Sequence, residues 1–367
     1  MAKVKITGHA SGTGVVTVTA PNTSTDRTIT LPDSTDTLIG TATTDALTTR
    51  INGAGGRKNM LFNGDMRISQ RGTSLTSAGD GAYLLDRFRT YKLGGGEINV
   101  EQATDSPDDY QHSLKVTVGT ADSSIAATDY YLINHRIEGY NTSHLNFGSS
   151  AAKTVTLSFW VKSSLTGTFS ASINNSAENR SYPYSYTISS ADTWEYKTVT
   201  IVGDTTGTWA TDSTTGIKVW WSLGNGSNYL GTANAWSSTT SQYGVTGETQ
   251  LISTAGATFQ ITGVQLELGS VATDFEHRSY GEELALCQRY YEKLVQTAIS
   301  HKSTADSGND YLNIYWSEKR ATPTLTHSGW SVAPTNTGGL SKTGCEIYKA
   351  TGFYGGASLT FNIDAEL

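Results

Sequence analysis

Thr154-Val155-Thr156-Leu157-Ser158-Phe159-Trp160-Val161-Lys162 carries the reading of the fold. Val155, Leu157, Phe159 and Val161 fall on one parity, with Thr156, Ser158 and Trp160 on the other. A period of two is what a pleated strand with one buried face imposes. The pattern returns in Ile217 to Leu223, where Ile217, Val219, Trp221 and Leu223 oppose Lys218, Trp220 and Ser222, and again in Leu114, Val116 and Val118. Between Phe259 and Leu268 the phase reverses: Phe259 and Ile261 share one parity, Val264, Leu266 and Leu268 the other. A bulge near Gly263 accounts for the reversal. Such strands, separated by Gly, Ser, Asn and Asp turns, predict an antiparallel jelly-roll sandwich over residues 59–276.

Composition points the same way. A chain of 367 residues is long enough for two or three cores. Charged residues are 16% of it, below the ordinary proportion of about 25%, while 38 Gly, 8 Trp and 19 Tyr suit strands and turns. With 6 Pro, 3 Met and no long Ala/Leu/Glu/Lys run, a mainly helical fold is not expected. The net charge of −7 and the lack of a basic patch argue against nucleic-acid binding through counterion release. No apolar run reaches about 18 residues and Met1 to Lys5 precede no apolar leader, so the expectation is a soluble product of the host bacterial cytoplasm without membrane insertion. Cys287 and Cys345 read as free thiols.

The flanks divide further. Residues 1–40 read as a β segment, with Val15 to Ala20 as a Val/Thr strand and Ile29 alternating with Leu31. So short a segment buries too little apolar area to fold alone. Residues 41–58 hold a short helix from Thr44 to Asn52 and a glycine linker. Leu47 and Ile51, four apart, are its candidate oligomerising residues, because a helix of two turns needs packing and identical copies supply it. Packing against its own chain is the alternative. Residues 277–295 read as a connector helix, capped at Ser279 with Glu282 three on and striped by Leu284, Cys287, Tyr291 and Leu294. Residues 296–367 form a small terminal β domain in which Leu312, Ile314 and Trp316 alternate, as do Leu359, Phe361 and Ile363.

Phe62-Asn63-Gly64-Asp65-Met66, Gln70-Arg71-Gly72 and Asp86-Arg87-Phe88 together resemble the opening of the carbohydrate-binding-module-like sandwich of many tailed-bacteriophage tail-fibre proteins. Ile261-Thr262-Gly263-Val264-Gln265-Leu266-Glu267, continuing through Phe275-Glu276 to Tyr290-Tyr291, is similar to the closing strand and connector of that module. Thr19 to Leu38 resembles the Thr/Pro/Asp repeats near the N-termini of marine phage fibres. The resemblance implies a homotrimeric virion fibre whose N-terminus is held by another tail or virion protein and whose distal β-domains touch a host-surface glycan. In such modules the Asn-Gly-Asp opening and an acid of the last strand hold a structural calcium ion. Asn63, Asp65 and Glu267 occupy comparable positions, and oxygen ligands suit calcium; turn capping and salt bridges are the alternative. No other cofactor is implied.

Sugar rings stack their C–H faces on aromatic side chains. Trp160 and Trp220 each sit on the polar side of a strand, and strands neighbouring in one sheet would put both rings on a common surface with Lys218 and Ser158. Trp209, Tyr229 and Trp236 come from the loop-rich stretch nearby. The alternative is that these rings cover a sheet face or an oligomer interface. No nucleophile elbow, phosphate loop or His-Glu-x-x-His helix occurs. The acid pairs Asp108/Asp109 and Asp80/Asp86 fall in turn-like sequence, so no enzyme is expected. Two other readings stay open: a structural virion protein without a receptor, and a polysaccharide-degrading tailspike, although no solenoid period is visible.

Overall fold

A computed structural model describes residues 58–296, 300–301, 310–334, 336–349 and 353–367; the expected N-terminal β segment and the helix bearing Leu47 and Ile51 lie outside the described residues. The chain divides into two compact units, Met1–Asp45 and Ala46–Leu367. Every described residue belongs to the second.

Its larger part is built from β1 (Ser74–Leu75), β2 (Phe88–Leu93), β3 (Glu97–Ala103), β4 (Ser113–Thr120), β5 (Tyr130–Glu138) and, after the short helix α1 (Gly139–Thr142), β6 (Val155–Ser163). The chain continues through β7 (Gly167–Asn175), β8 (Ser181–Ile188), β9 (Glu195–Ile201), β10 (Thr215–Asn225), the two-residue strands β11 (Leu230–Gly231) and β12 (Gly244–Val245), and β13 (Thr258–Leu268). One sheet has the order β1-β3-β4-β13-β6-β9, the other β2-β5-β10-β7-β8. All neighbours in both are antiparallel. The chain passes repeatedly from one sheet to the other, which gives the expected sandwich.

Alternation fixes which side chains meet between the sheets. Val155, Leu157, Phe159 and Val161 of β6 pack with Ile217, Val219, Trp221 and Leu223 of β10 and with Leu114, Val116 and Val118 of β4, all at most 2% exposed. Each large apolar side chain so buried contributes about 1.5–3 kcal/mol. The phase reversal in β13 is a register shift against β6 between Thr262 and Gln265, with Gly263 at φ +61°. Both cysteines are free and buried.

Helix α2 (Tyr280–Gln288) starts where expected, Ser279 Oγ accepting from the Glu282 N–H at 3.3 Å. It is shorter than its apolar stripe suggests. Gln288 is its last residue, and Tyr291 and Leu294 lie in strand β14 (Tyr291–Gln296), where they pair with Asp364 and Phe361 of the final strand. The remaining strands are β15 (Ser300–His301), β16 (Asp310–Tyr315), β17 (Thr324–Val332), β18 (Asn336–Gly338), β19 (Gly344–Lys349) and β20 (Phe353–Asp364). β20 pairs with β14, β15 and β17; β16, β19 and β18 form a second sheet. Ile314, Trp316, Ile347, Leu359, Phe361 and Ile363 are buried in this part's core.

Candidate functional site

The outer face of the six-stranded sheet carries an open cleft of about 780 Å³. Trp160 and Ser158 rise into it from the outward parity of β6. Directly opposite Trp160 on the edge strand β9 stands Tyr196, 44% exposed, their rings 5.3 Å apart and tilted by 49°. The other side is set by the bulge in β13: Tyr110 lies over Gly263, where any Cβ would come within 2.7 Å of its ring. Tyr110 in turn packs edge-on against Phe275 at 5.4 Å and meets His277 at 5.5 Å. Glycine at 263 thus serves both the backbone twist and the approach of the ring.

The wall formed by residues 272–277 is pinned by the closing motif. Glu267 Oε1 accepts from the Thr273 N–H at 2.8 Å and Oε2 from its hydroxyl at 2.6 Å, while Gln265 Oε1 accepts from the Glu276 N–H at 2.9 Å. Burial raises the pKa values of the Tyr110 and Tyr196 hydroxyls, which keeps both as hydrogen-bond donors. Asp108, Asp109 and Asp274 complete the lining.

Of the expected calcium ligands, Asn63 and Glu267 are fully engaged by the protein and Asp65 in part. Asn63 closes a turn, its Nδ2 donating to the carbonyls of Ile68 and Asp86 and its Oδ1 accepting from the Ile68 N–H. Asp65 Oδ2 pairs with Arg67 while its Oδ1 is buried without a hydrogen-bond partner among the described residues, and both Glu267 oxygens are held by Thr273. Among the described residues no group of three or more His, Cys, Asp or Glu is placed to hold a metal ion. Asn63 and Glu267 thus anchor a turn and the wall of the cleft.

Trp160 and Trp220 do not share a surface, since β6 and β10 belong to opposite sheets. Trp220 is 1% exposed, covered by Tyr91 at 5.0 Å and by Tyr243 at 4.7 Å from the segment that follows β10. Tyr229 stacks on Tyr243 in the same cover. Lys218, on the same face, is buried and paired with Glu178 at 2.5 Å. Trp209 and Trp236 form a third group with Phe147, at ring distances of 4.9 Å to 5.9 Å, beside a pocket of about 220 Å³. Of the residues expected on the sugar-binding surface, Trp160 and Ser158 therefore enter the large cleft. Tyr110, Tyr196, Phe275 and His277 were not singled out from sequence. Tyr196 had a signal, in the alternation through Glu195, Lys197 and Val199; Phe275 lies in the closing motif quoted above, which says nothing of a cleft, and Tyr110 comes from a loop and had none.

An antiparallel sandwich with an aromatic cleft on one outer face is thus the class of fold defined here. No family model matches the chain, and no curated protein matches its sequence. Among solved structures it is similar to the enzymatically active domain of bacteriophage CBA120 tailspike protein 4, at 13% identity and a TM-score of 0.31, over 54% of this chain and 21% of that one. This chain spans about a fifth of that tailspike chain. It is also similar to the family 11 carbohydrate-binding module from Clostridium thermocellum in complex with a β-1,3-1,4-mixed-linked tetrasaccharide, at 14% identity and a TM-score of 0.28, over 56% and 99% of the two chains. A family 22 carbohydrate-binding module from the same organism gives 14%, 0.28, 55% and 98%. The architecture given above rests on the strand pairings of this chain itself.

Proposed function

We propose that this chain is the adhesive component of a tailed-phage virion fibre and holds a host-surface saccharide against the Trp160 face of its sandwich. The cleft carries the proposal. Trp160 and Tyr196 offer ring faces for pyranose C–H groups, and Ser158, Tyr110 and the aspartates offer hydrogen-bonding groups beside them. Such a surface binds without needing to cleave.

The fibre context is supported by the opening and closing motifs, which fold against each other: the Val264 N–H donates to Gly64 O at 2.9 Å, and Asn59 Nδ2 donates to Val264 O at 3.0 Å. Three copies joined through the N-terminal region, held there by another virion protein, complete the reading. Binding of the labelled full-length chain to susceptible cells tests it. The Trp160→Ala variant should lose that binding, and undiminished binding by the variant contradicts the proposal. A solution mass of one subunit would contradict the trimer, and release of oligosaccharide from host capsule would favour a tailspike enzyme. Location in the virion by electron microscopy distinguishes a receptor-binding fibre from a structural protein of the tail or head.

A further inference from the structure

Resting on the reading that this chain binds saccharide, we infer that the pocket between segments 139–149 and 204–217 is a second, separate site that takes a single neutral sugar ring. The two segments cross twice. At one end the Gly139 N–H donates to Thr214 O at 2.8 Å and the Tyr140 N–H to Asp212 O at 2.9 Å; at the other the Gly148 N–H donates to Asp204 O at 2.7 Å. Both crossings need glycine. A Cβ would stand 2.5 Å from Ala210 O at position 139 and 2.6 Å from Gly207 O at position 148. Asp204 is itself fixed by Arg180 at 2.7 Å and 2.8 Å. The cavity of about 220 Å³ lined by both segments is thus formed before any ligand arrives, which keeps the ordering cost of binding low.

Its lining matches the chemistry of a pyranose. Ile217 and the rings of Phe147 and Trp209, 4.9 Å apart and at 83°, give apolar walls for sugar C–H groups. The Trp209 Nε1–H donates to Thr206 O at 3.2 Å, and Trp236, held through Nε1 to Val202 O, braces the ring edge-on at 5.5 Å. Ser143 Oγ donates to Tyr140 O and Ser149 Oγ to Asn146 O, so both hydroxyls keep lone pairs that can accept from sugar hydroxyls. The exposed Asn146 amide has no partner among the described residues and supplies donors. None of the lining residues is charged, so an acidic or amino sugar gains nothing over a neutral one. The cleft at Trp160, about 780 Å³, has room for several rings; this pocket does not. So small a contact is weak alone, but beside the cleft on one sandwich it raises avidity.

Fluorine magnetic resonance of the full-length protein labelled with fluorotryptophan tests this. The probes are methyl β-glucoside, methyl β-galactoside and N-acetylglucosamine, and the β-1,4-linked tetramers of the same sugars. At least one monosaccharide should shift the Trp209 signal at a concentration at least about tenfold below any that moves Trp160, and its tetramer should shift both. In Trp209→Ala the monosaccharide response, read from the neighbouring Trp236, should vanish while Trp160 still answers the tetramer; Trp160→Ala should do the reverse. Asn146→Ala, at an exposed position that leaves the melting temperature unchanged, should weaken the monosaccharide roughly threefold to tenfold. Shifts confined to Trp160 overturn the second site and leave the Trp160 reading standing, whereas shifts at Trp209 alone keep the pocket and sink that reading. A lower solution mass for Trp209→Ala, with no sugar response at Trp209 in the parent, would make these rings an interface between copies and overturn the inference. No shift at either tryptophan with any probe overturns both.

Discussion

Arg87 and Glu366, 279 positions apart in the chain, form an ion pair enclosed between the sandwich and the final strand, with side chains 1% and 6% exposed. The Arg87 guanidinium lies 3.6 Å from the centre of the Tyr290 ring and donates to Arg136 O at 2.5 Å. Arg71 pairs with Glu366 at 3.4 Å and with Asp364 at 3.2 Å, and Arg289 with Glu138 at 2.6 Å. A charge network thus fastens the last strand to the sandwich. Removing one partner strands a buried charge, so Glu366→Gln should lower unfolding free energy by about 3 kcal/mol. Urea denaturation checks it; a loss near zero would mean that Arg87 finds equal compensation elsewhere.

Asp86 gives this junction a pH dependence. Burial pushes its carboxyl from 3.8 up to about 6, against the pull of the Gln70 hydrogen bonds and Arg71. Between those two values the folded state binds more protons than the unfolded chain, so this group's contribution falls as pH rises from about 4 to 6. Buried His135 acts oppositely. Desolvation and then Arg87 hold its pKa well below 6.5, so its contribution is lost as pH falls below 6.5. The difference in stability between Asp86→Asn and the parent isolates the first effect. It should move in favour of the variant across pH 4 to 7, by at most ~3 kcal/mol. A flat difference would refute the raised carboxyl.

Trp160 and Trp220 should separate binding from stability. Trp160→Ala removes a half-exposed ring and should weaken saccharide binding about tenfold or more, with little loss of stability. Trp220→Ala empties a site that is 1% exposed and should cost about 3–5 kcal/mol. Paired melting and binding curves distinguish them, and reversed effects would place the saccharide on the other sheet.

Much of the sandwich was legible in the chain, because period-two alternation reports which residues face inward. It placed Val155, Leu157, Phe159 and Val161, and it located the bulge, since a glycine at positive φ leaves a phase change behind it. Alternation does not report strand order, so Trp160 and Trp220 could be given the same outward parity without sharing a face. Nor does it report what a loop covers: Lys218 and Trp220 read as exposed but lie under Tyr243 and Glu178. The helical stripe failed at Tyr291 for a related reason, as the spacing of Leu284, Cys287, Tyr291 and Leu294 carries no mark of where helix gives way to strand. The site's remaining rings arrive from loops, and contacts such as Arg87 with Glu366 span distances in sequence that no local pattern encodes.

Gly263 ties the fold to the site. Its φ of +61° and the Tyr110 ring 2.7 Å from a would-be Cβ leave no room for alanine. Gly263→Ala should cost about 1–3 kcal/mol in backbone strain and displacement and, by moving Tyr110, weaken saccharide binding as well. Thermal melting with a parallel titration checks both, and a variant with unchanged affinity would show that Tyr110 takes no part in the cleft.

The most direct test is a nuclear magnetic resonance titration of the full-length protein with the tightest-binding saccharide, following the tryptophan indole signals and intermolecular contacts to sugar protons. The Trp160 indole should shift and show contacts to sugar C–H groups, with Tyr196 and Tyr110 responding alongside. Contacts confined to Trp220 or to Trp209 and Trp236, with Trp160 silent, would contradict the account.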